Sequence, residues 1–260
     1  MEWLKLSKVC FDFTGERYVV TGASSGMGRQ IVLDLANSGA QVLGIARNKE
    51  RLAEVQSHFP DKIFTASVDV CDVEKLEGAI KEFVEAHGKL NGGVHAAGIN
   101  GLTTLKNFDQ EFANNIMKVN FWAGVDLVKL ITKSKYGMNG TSTVLFSSIA
   151  TLLNAKGVFA YSASKIAINS FVKTAAKEIS SKKHRVNSIL PGWVDTQMTK
   201  SSESYTDFDT VFGKNLLGRG NTTDVSNAVL FLLSDAANWI TGGNIVVDGG
   251  GVLVTEFYNY

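Results

Sequence analysis

Residues 18–28 read YVVTGASSGMG, an apolar run that passes directly into a turn containing three glycines. After the turn, apolar residues recur at Met27, Ile31 and Leu35, and this spacing of four predicts a helix. A strand, a glycine-rich turn and a helix in this order let backbone amides approach a diphosphate. The stretch therefore predicts the first unit of an α/β sheet and a dinucleotide site, with a plain connecting turn as the alternative.

The rest of the chain repeats this order of a strand followed by a helix. Such alternation predicts a parallel sheet with helices on both faces. Because 260 residues contain two prolines and no repeat or linker, we expect a single-domain Rossmann-type α/β fold, a doubly wound parallel sheet of about seven strands. Residues 1–14 form an N-terminal extension in this interpretation. The predicted strands are 18–21, 41–46, 63–68, 92–97, 143–147, 185–190 and 244–247.

One long irregular segment interrupts the pattern at residues 196–219. It is rich in Ser and Thr with scattered aromatic residues, and it is longer than an ordinary connection. We interpret it as a lid over the substrate, and a plain surface loop is the alternative.

The charge balance and the cysteines indicate which binding partners and which compartment to expect. The 26 Lys and Arg residues against 25 Asp and Glu create no global field for nucleic acid or an anionic membrane. Cys10 and Cys71 lie far apart, which fits reduced thiols in the cytoplasm. No apolar run reaches the ~18 residues of a membrane span. We expect a cytoplasmic protein with a small-molecule substrate, and no metal because the histidines are scattered: His58, His87, His95 and His184.

Residues 161–165 read YSASK and place a phenol and an ammonium four residues apart in a segment that otherwise predicts helix. Both side chains then share one helical face. A phenol with a pKa near ~10 transfers protons poorly at neutral pH, and a nearby cation favours its phenolate. The pair therefore suits reversible proton transfer at a carbonyl or alcohol oxygen, and an ordinary exposed helical pair is the alternative.

The glycine turn, Ser148 and the YSASK segment together resemble the short-chain dehydrogenase/reductase family over nearly the whole chain, in particular its 3-oxoacyl-(acyl-carrier-protein) reductases. The resemblance implies that Tyr161 is the general acid or base and that Lys165 lowers its pKa and holds the cofactor ribose. It gives Ser148 the role of stabilising charge on the substrate oxygen, with a strand-end cap as the alternative. Asn120 would hold a water for proton resupply, or serve as a structural hydrogen-bonding residue.

The same resemblance implies a set of cofactor contacts. The turn has the family's TGxxxGxG form, Asp69 corresponds to its adenine-side aspartate, and residues 191–196 match its PGxxxT segment around the nicotinamide, although a plain Pro-Gly turn is possible there. The family's NNAG reads HAAG at residues 95–98, so the resemblance supports Gly98 and backbone contacts, with His95 as a packing substitute. The implied set is Gly22, Ser24, Ser25, Gly26, Met27, Gly28, Asp69, Val70, Ala97, Gly98, Tyr161, Lys165, Pro191, Gly192, Val194 and Thr196.

Cofactor choice is predicted from the end of the second strand. An acid there would bind the free ribose hydroxyls of NAD, but the sequence has Ala46 and Arg47. A guanidinium suits the 2′-phosphate of NADP(H), and Ser24 can donate a further hydrogen bond. We therefore expect NADP(H), while the alternative leaves Arg47 in solvent.

The predicted function is NADP(H)-dependent interconversion of a ketone and a secondary alcohol, with 3-oxoacyl thioesters as one substrate class. Sugar, steroid and diketone reductases share every motif quoted, and a non-enzymatic NADP(H) sensor is the competing class. The spacing of four between Tyr161 and Lys165 disfavours enoyl reductases in this family comparison. By analogy with the family we also expect a homotetramer, and we consider an acyl carrier protein that docks on Lys133, Lys135 and Lys177.

Overall fold

The computed structural model describes residues 10–153, 156–196, 199 and 215–257. In these ranges seven strands form one sheet in the order β3-β2-β1-β4-β5-β6-β7, and every pair is parallel. The prediction of a doubly wound sheet of about seven strands is confirmed. The strands are β1 (Arg17–Thr21), β2 (Gln41–Ala46), β3 (Ile63–Ser67), β4 (Leu90–His95), β5 (Gly137–Phe146), β6 (Arg185–Pro191) and β7 (Asn244–Val247).

Helices connect the strands and cover both faces of the sheet. Polar side chains cap the amino ends of several helices. Asn48, for example, accepts a hydrogen bond from the Arg51 amide at the start of the second helix. The helices are α1 (Gly26–Asn37), α2 (Lys49–Ser57), α3 (Val73–His87), α4 (Gln110–Met117), a π-helical turn (Lys118–Trp122), α5 (Ala123–Ile131), α6 (Ala150–Leu153), α7 (Phe159–Ile179) and α8 (Thr222–Leu233). Short 3-10 turns occupy Ser180–Lys182, Asp235–Ala237 and Gly251–Phe257.

Each face of the sheet has its own hydrophobic core. Successive strand residues point to opposite faces, so Val20 packs with α1, α2 and α8, while Val19 packs with α3 and α5. A third cluster lies under α7, where Ile168 and Val172 are fully buried near Leu145. Because all seven strands are parallel, their carboxyl ends lie at one edge of the sheet.

Two strands, β4 and β5, differ most from the sequence prediction. β5 begins at Gly137 rather than Thr143, and β4 begins at Leu90 rather than Gly92. The early part of β5 reads GMNGT and lacks apolar alternation, yet Gly137 pairs with Leu90 before the register shifts. Pairing with a neighbouring strand extends these ends, which the local pattern does not reveal.

Two predicted segments fall largely beyond the ranges given above. Of the predicted lid, residues 197, 198, 200 and 201–214 lie outside the described residues, and so do residues 1–9 of the N-terminal extension. Across the ranges that are described, we find no helix both long and apolar enough to cross a bilayer.

Candidate active site

The glycine turn between β1 and α1 is packed closely against the end of β4. Gly22 has φ of 71°, and a Cβ placed there would lie 2.7 Å from the Ala97 nitrogen. Gly28 is buried against the Gly22 carbonyl oxygen, which any side chain at this position would overlap. Glycine is required at both positions, one for its conformation and one for the close approach. The packing leaves the amino end of α1 facing the edge of the sheet.

A cleft of about 360 Å³ opens at this edge, a size typical of small-molecule sites. Twelve of the predicted cofactor residues line it: Gly22, Ser24, Ser25, Gly26, Met27, Gly28, Arg47, Asp69, Val70, Ala97, Gly98 and Thr196. Seven further lining residues are absent from the predicted set: Ala46, Asn48, Arg51, Val68, Ala96, Ile99 and Val119. The cleft follows the carboxyl ends of β1 to β4, where open α/β sheets bind their ligands.

Two arginines, Arg47 and Arg51, line the cleft. Arg47 is exposed just after β2, and Arg51 lies in the first turn of α2. The sequence analysis predicted a cofactor contact for Arg47 but none for Arg51. The available signal was Asn48, since a helix that begins after this cap places Arg51 within a turn of Arg47.

The side chains of Ser148 and Tyr161 meet between β5 and α7. The Ser148 hydroxyl oxygen accepts a hydrogen bond from the Ala150 amide at 3.1 Å, so the residue does cap the turn after the strand. The Ser148 hydroxyl can still donate its own proton. A hydrogen bond from Ser148 lowers the pKa of Tyr161. Burial has the larger effect and raises that pKa above its usual value. Sequence reasoning expected the pKa to be lowered, and the difference arises because the phenol is desolvated.

Lys165 lies one helical turn after Tyr161 and is only 4% exposed. Its Nζ donates to the Phe146 carbonyl at 2.7 Å and lies 5.6 Å from the centroid of the Tyr161 ring. Burial lowers the pKa of the ammonium to about 7. A Cβ placed on Gly98 would be 3.5 Å from this Nζ, so Lys165 reaches the wall of the cleft. The ammonium is thus desolvated, with Tyr161 on one side and the cleft on the other.

Asn120 occupies the π-helical turn and is fully buried. Its Oδ1 accepts from the Ile99 amide at 2.8 Å, while its Nδ2 donates to the Ile99 carbonyl and to Ser164 Oγ, both at 3.0 Å. Both polar atoms of the side chain thus have protein partners, as a structural hydrogen-bonding residue requires. Single π-helical turns of this kind occur frequently at functional sites.

The four predicted residues of the PGxxxT segment separate into two groups. Thr196 lines the cleft, and its Cγ2 would lie 3.5 Å from a Cβ on Gly26. Pro191, Gly192 and Val194 do not line it. The Pro191 carbonyl accepts from the Ile149 amide at 3.2 Å, the Gly192 amide donates to Val247, and Val194 is buried. Pro191 and Gly192 thus tie the end of β6 to the Ser148 segment and to β7, while Val194 forms a bridge with Gly220.

Comparisons with known proteins agree with this arrangement. A family model described as enoyl-(acyl carrier protein) reductase matches residues 22–251. The chain is 32% identical over 247 residues to an L-xylulose reductase from Caenorhabditis elegans, covering 92% of this chain and 97% of that protein. It is 28% identical over 243 residues to a 3-oxoacyl-(acyl-carrier-protein) reductase from Thermotoga maritima, covering 92% and 98%.

Solved structures include proteins with the same fold. A short-chain dehydrogenase/reductase of the glucose/ribitol dehydrogenase type from Brucella melitensis superposes with a TM-score of 0.88 at 27% identity, covering 94% of this chain and 99% of that one. Both the sequence matches and this structural match extend over the sheet and the cleft together. The chain therefore belongs to the short-chain dehydrogenase/reductase family, whose members are oxidoreductases that bind a nicotinamide cofactor.

Proposed function

We propose that the protein transfers hydride between NADP(H) and a carbonyl compound, interconverting a ketone and a secondary alcohol. The observation that carries this proposal is the position of Lys165, which is buried between Tyr161 and the cleft wall at Gly98. A dinucleotide in the cleft would then have a proton donor and a hydroxyl, from Tyr161 and Ser148, beside its nicotinamide end.

Three side chains divide the work at the substrate oxygen. Ser148 donates a hydrogen bond as negative charge develops there, and Tyr161 delivers the proton in the reductive direction. Lys165 stabilises the phenolate that remains, which is the form that burial of Tyr161 opposes. The bound nicotinamide supplies the hydride in reduction and accepts it in oxidation. Asn120 acts as a positioning residue in this proposal, through its bonds to Ile99 and Ser164.

The residues of the cleft fit a dinucleotide phosphate. The closely packed glycine turn exposes the amino end of α1, where backbone amides and the helix dipole favour a diphosphate. Arg47 and Arg51 line the same cleft, together with Ser24 and the exposed Asp69. The two guanidinium groups support a 2′-phosphate on the adenosine ribose, and therefore NADP(H) over NAD(H).

Replacing Arg47 by Ala is expected to raise the Kd for NADPH by about 10- to 100-fold, because a charged hydrogen bond contributes roughly 1.5–3 kcal/mol. The Kd for NADH should stay unchanged, since NADH has no 2′-phosphate. Quenching of protein fluorescence or calorimetric titration measures both constants.

Lys49→Ala is the matched control for the loss of a positive charge, because Lys49 is exposed two residues away and does not line the cleft. Its Kd for NADPH should equal that of the wild type. Equal losses for NADPH and NADH in Arg47→Ala would reject the phosphate contact, and so would a wild-type protein that binds both cofactors equally.

The proposed substrates are ketones rather than enoyl compounds. The matching family model is described as an enoyl reductase, whereas the named relatives are an L-xylulose reductase and a 3-oxoacyl-(acyl-carrier-protein) reductase. A paired Ser148 and Tyr161 suits a developing alkoxide, and the spacing to Lys165 follows the ketone-reducing pattern. We therefore propose 3-oxoacyl thioesters first, and small sugar, steroid or diketone carbonyls second.

Docking of an acyl carrier protein gains no support from the lysine patch. Lys133 and Lys135 donate to the same carboxylate, Glu77, at 3.1 and 2.8 Å, and Tyr136 donates to it as well. These contacts hold the pKa of Glu77 down at about 2, so the carboxylate stays charged and offsets one of the three lysine charges. The patch therefore presents less free charge to an acidic partner than the sequence suggests.

We propose that the protein forms a homotetramer and functions as a single-domain enzyme in the cytoplasm. The tetramer is supported by large apolar side chains left exposed at Trp122, Ile166, Trp239 and Val246, the last of them on the edge strand β7. Sedimentation velocity should give four times the chain mass of 28.1 kDa for the wild type, and a smaller assembly for Trp239→Glu. A wild-type monomer would reject the proposal. Residues 196–219 remain our proposed substrate lid.

A further inference from the structure

His95 is a fully buried imidazole at the end of β4, directly before the strand reaches the cleft. Both ring nitrogens have partners. Nε2 lies 3.0 Å from the Val119 carbonyl oxygen and Nδ1 lies 2.9 Å from Thr21 Oγ1. Because a carbonyl only accepts, Nε2 must carry the proton, and Nδ1 accepts from the Thr21 hydroxyl. Burial lowers the pKa of the imidazole to about 4, so the ring is neutral, and its two hydrogen bonds define its orientation.

The Nδ1 side of the ring leads to the cofactor cleft. The Thr21 oxygen that donates to His95 also accepts a hydrogen bond from the Ala97 amide at 3.3 Å. Ala97 lines the cleft next to Gly98. This half of the imidazole thus joins the end of β1 to the segment that follows β4.

The Nε2 side of the ring leads to the proposed catalytic group. Its acceptor, Val119, directly precedes Asn120 in the π-helical turn. Asn120 in turn binds both backbone groups of Ile99, and a Cβ on Gly98 would lie 3.3 Å from its Oδ1 and 3.5 Å from Lys165 Nζ. One hydrogen bond from His95 therefore holds the backbone whose next side chain, Asn120, binds Ile99 and Ser164, the chain neighbours of Gly98 and Lys165.

The fold makes room for this particular ring. A Cβ on Gly124, in the first turn of α5, would lie 3.0 Å from His95 Cδ2. The absence of a side chain there lets the imidazole span from β4 to the π-helical turn. A shorter amide side chain at position 95 would reach Thr21 but would leave Val119 without its donor.

Resting on the function proposed above, we propose that His95 is a positioning residue that sets the π-helical turn against β4 and thereby holds Asn120 against Ile99 and Ser164, the neighbours of Gly98 and Lys165. His95 does not touch the substrate or the cofactor. Its effect reaches the chemistry through Val119 and Asn120, while its bond to Thr21 serves the cofactor side separately.

Two amide substitutions distinguish the hydrogen bond at Nδ1 of His95 from the one at Nε2. His95→Gln can place an amide nitrogen near the position of Nε2 and donate to Val119, whereas His95→Asn reaches only the Nδ1 position. We expect His95→Asn to lower kcat by about 10- to 100-fold, the usual effect of a small misplacement, with KM for NADPH unchanged. His95→Gln should keep kcat close to that of the wild type.

A second measurement is independent of the substrate. Hydrogen–deuterium exchange of a peptide spanning residues 117–124 should be faster in His95→Asn than in the wild type, and unchanged in His95→Gln. Wild-type kcat and exchange in His95→Asn would overturn the proposal, as would equal losses in the two variants. If the wild type itself reduces no carbonyl compound, the proposed function fails, and the exchange comparison alone decides the role of His95.

Discussion

Tyr161→Phe is expected to lower kcat for carbonyl reduction by about 10²- to 10⁴-fold, the usual contribution of a general acid. The substitution removes one hydroxyl and keeps the ring, so the packing of the first turn of α7 should persist. Because Tyr161 does not line the cleft, the Kd for NADPH should match that of the wild type. Steady-state turnover and cofactor titration measure the two quantities on the same samples.

Tyr136→Phe is the matched control for this substitution. Its hydroxyl also belongs to a buried tyrosine, but it donates to Glu77 at 2.7 Å, in the cluster with Lys133 and Lys135. We expect its kcat to equal that of the wild type. Comparable kcat values in Tyr161→Phe and Tyr136→Phe would remove Tyr161 from the proton transfer.

Lys165→Met should lower kcat by at least about 10²-fold and also make the folded protein more stable at neutral pH. The loss of activity follows because the phenolate of Tyr161 then has no neighbouring cation. The gain in stability follows because a desolvated ammonium disfavours the folded state, as its lowered pKa indicates. Loss of the hydrogen bond to the Phe146 carbonyl offsets part of that gain.

The same variant makes a prediction about pH. The pKa of Lys165 is about 7 in the folded state and 10.5 in the reference state, so between these values the unfolded chain binds more protons. The free energy of unfolding of the wild type should therefore rise with pH across this window, relative to Lys165→Met. His95 stays neutral throughout, because burial lowers its pKa to about 4.

Denaturant unfolding at several pH values between 7 and 10 measures the difference. Lys133→Met is the control, because its ammonium lies in a half-buried ion pair with Glu77 rather than in the core. A difference between wild type and Lys165→Met that stays constant over this range would contradict the buried-ammonium interpretation. Unchanged kcat in Lys165→Met would contradict its role in catalysis.

The parts of the site that the sequence predicts are those encoded by local spacing. The glycine turn follows a strand and opens a helix, and Tyr161 and Lys165 share a helical face, so short-range pattern is sufficient. The parallel sheet follows from the same alternation. Contacts between distant segments are not encoded in this way. The bond from His95 to Val119 spans two elements, and no local pattern predicts it.

The environment of Tyr161 and Lys165 could not be predicted from the sequence either. The spacing of Tyr161 and Lys165 predicts their proximity, but burial of both groups determines the direction of their pKa shifts. Asn120 shows the same difference between position and role. The motif predicts where it lies in the chain, but not that its amide group binds Ile99 and Ser164 in an inward-facing π-helical turn.

Transfer of the isotope from NADPH deuterated at C4 of the nicotinamide tests the proposed reaction most directly. The purified protein is incubated with labelled cofactor and a panel of acetoacetyl thioesters, diketones, keto sugars, ketosteroids and enoyl thioesters, and products are analysed by mass spectrometry. The account predicts a secondary alcohol that carries deuterium on the former carbonyl carbon, and no such product with Tyr161→Phe. Tight NADPH binding without any labelled alcohol, or label found only in a saturated thioester, would contradict it.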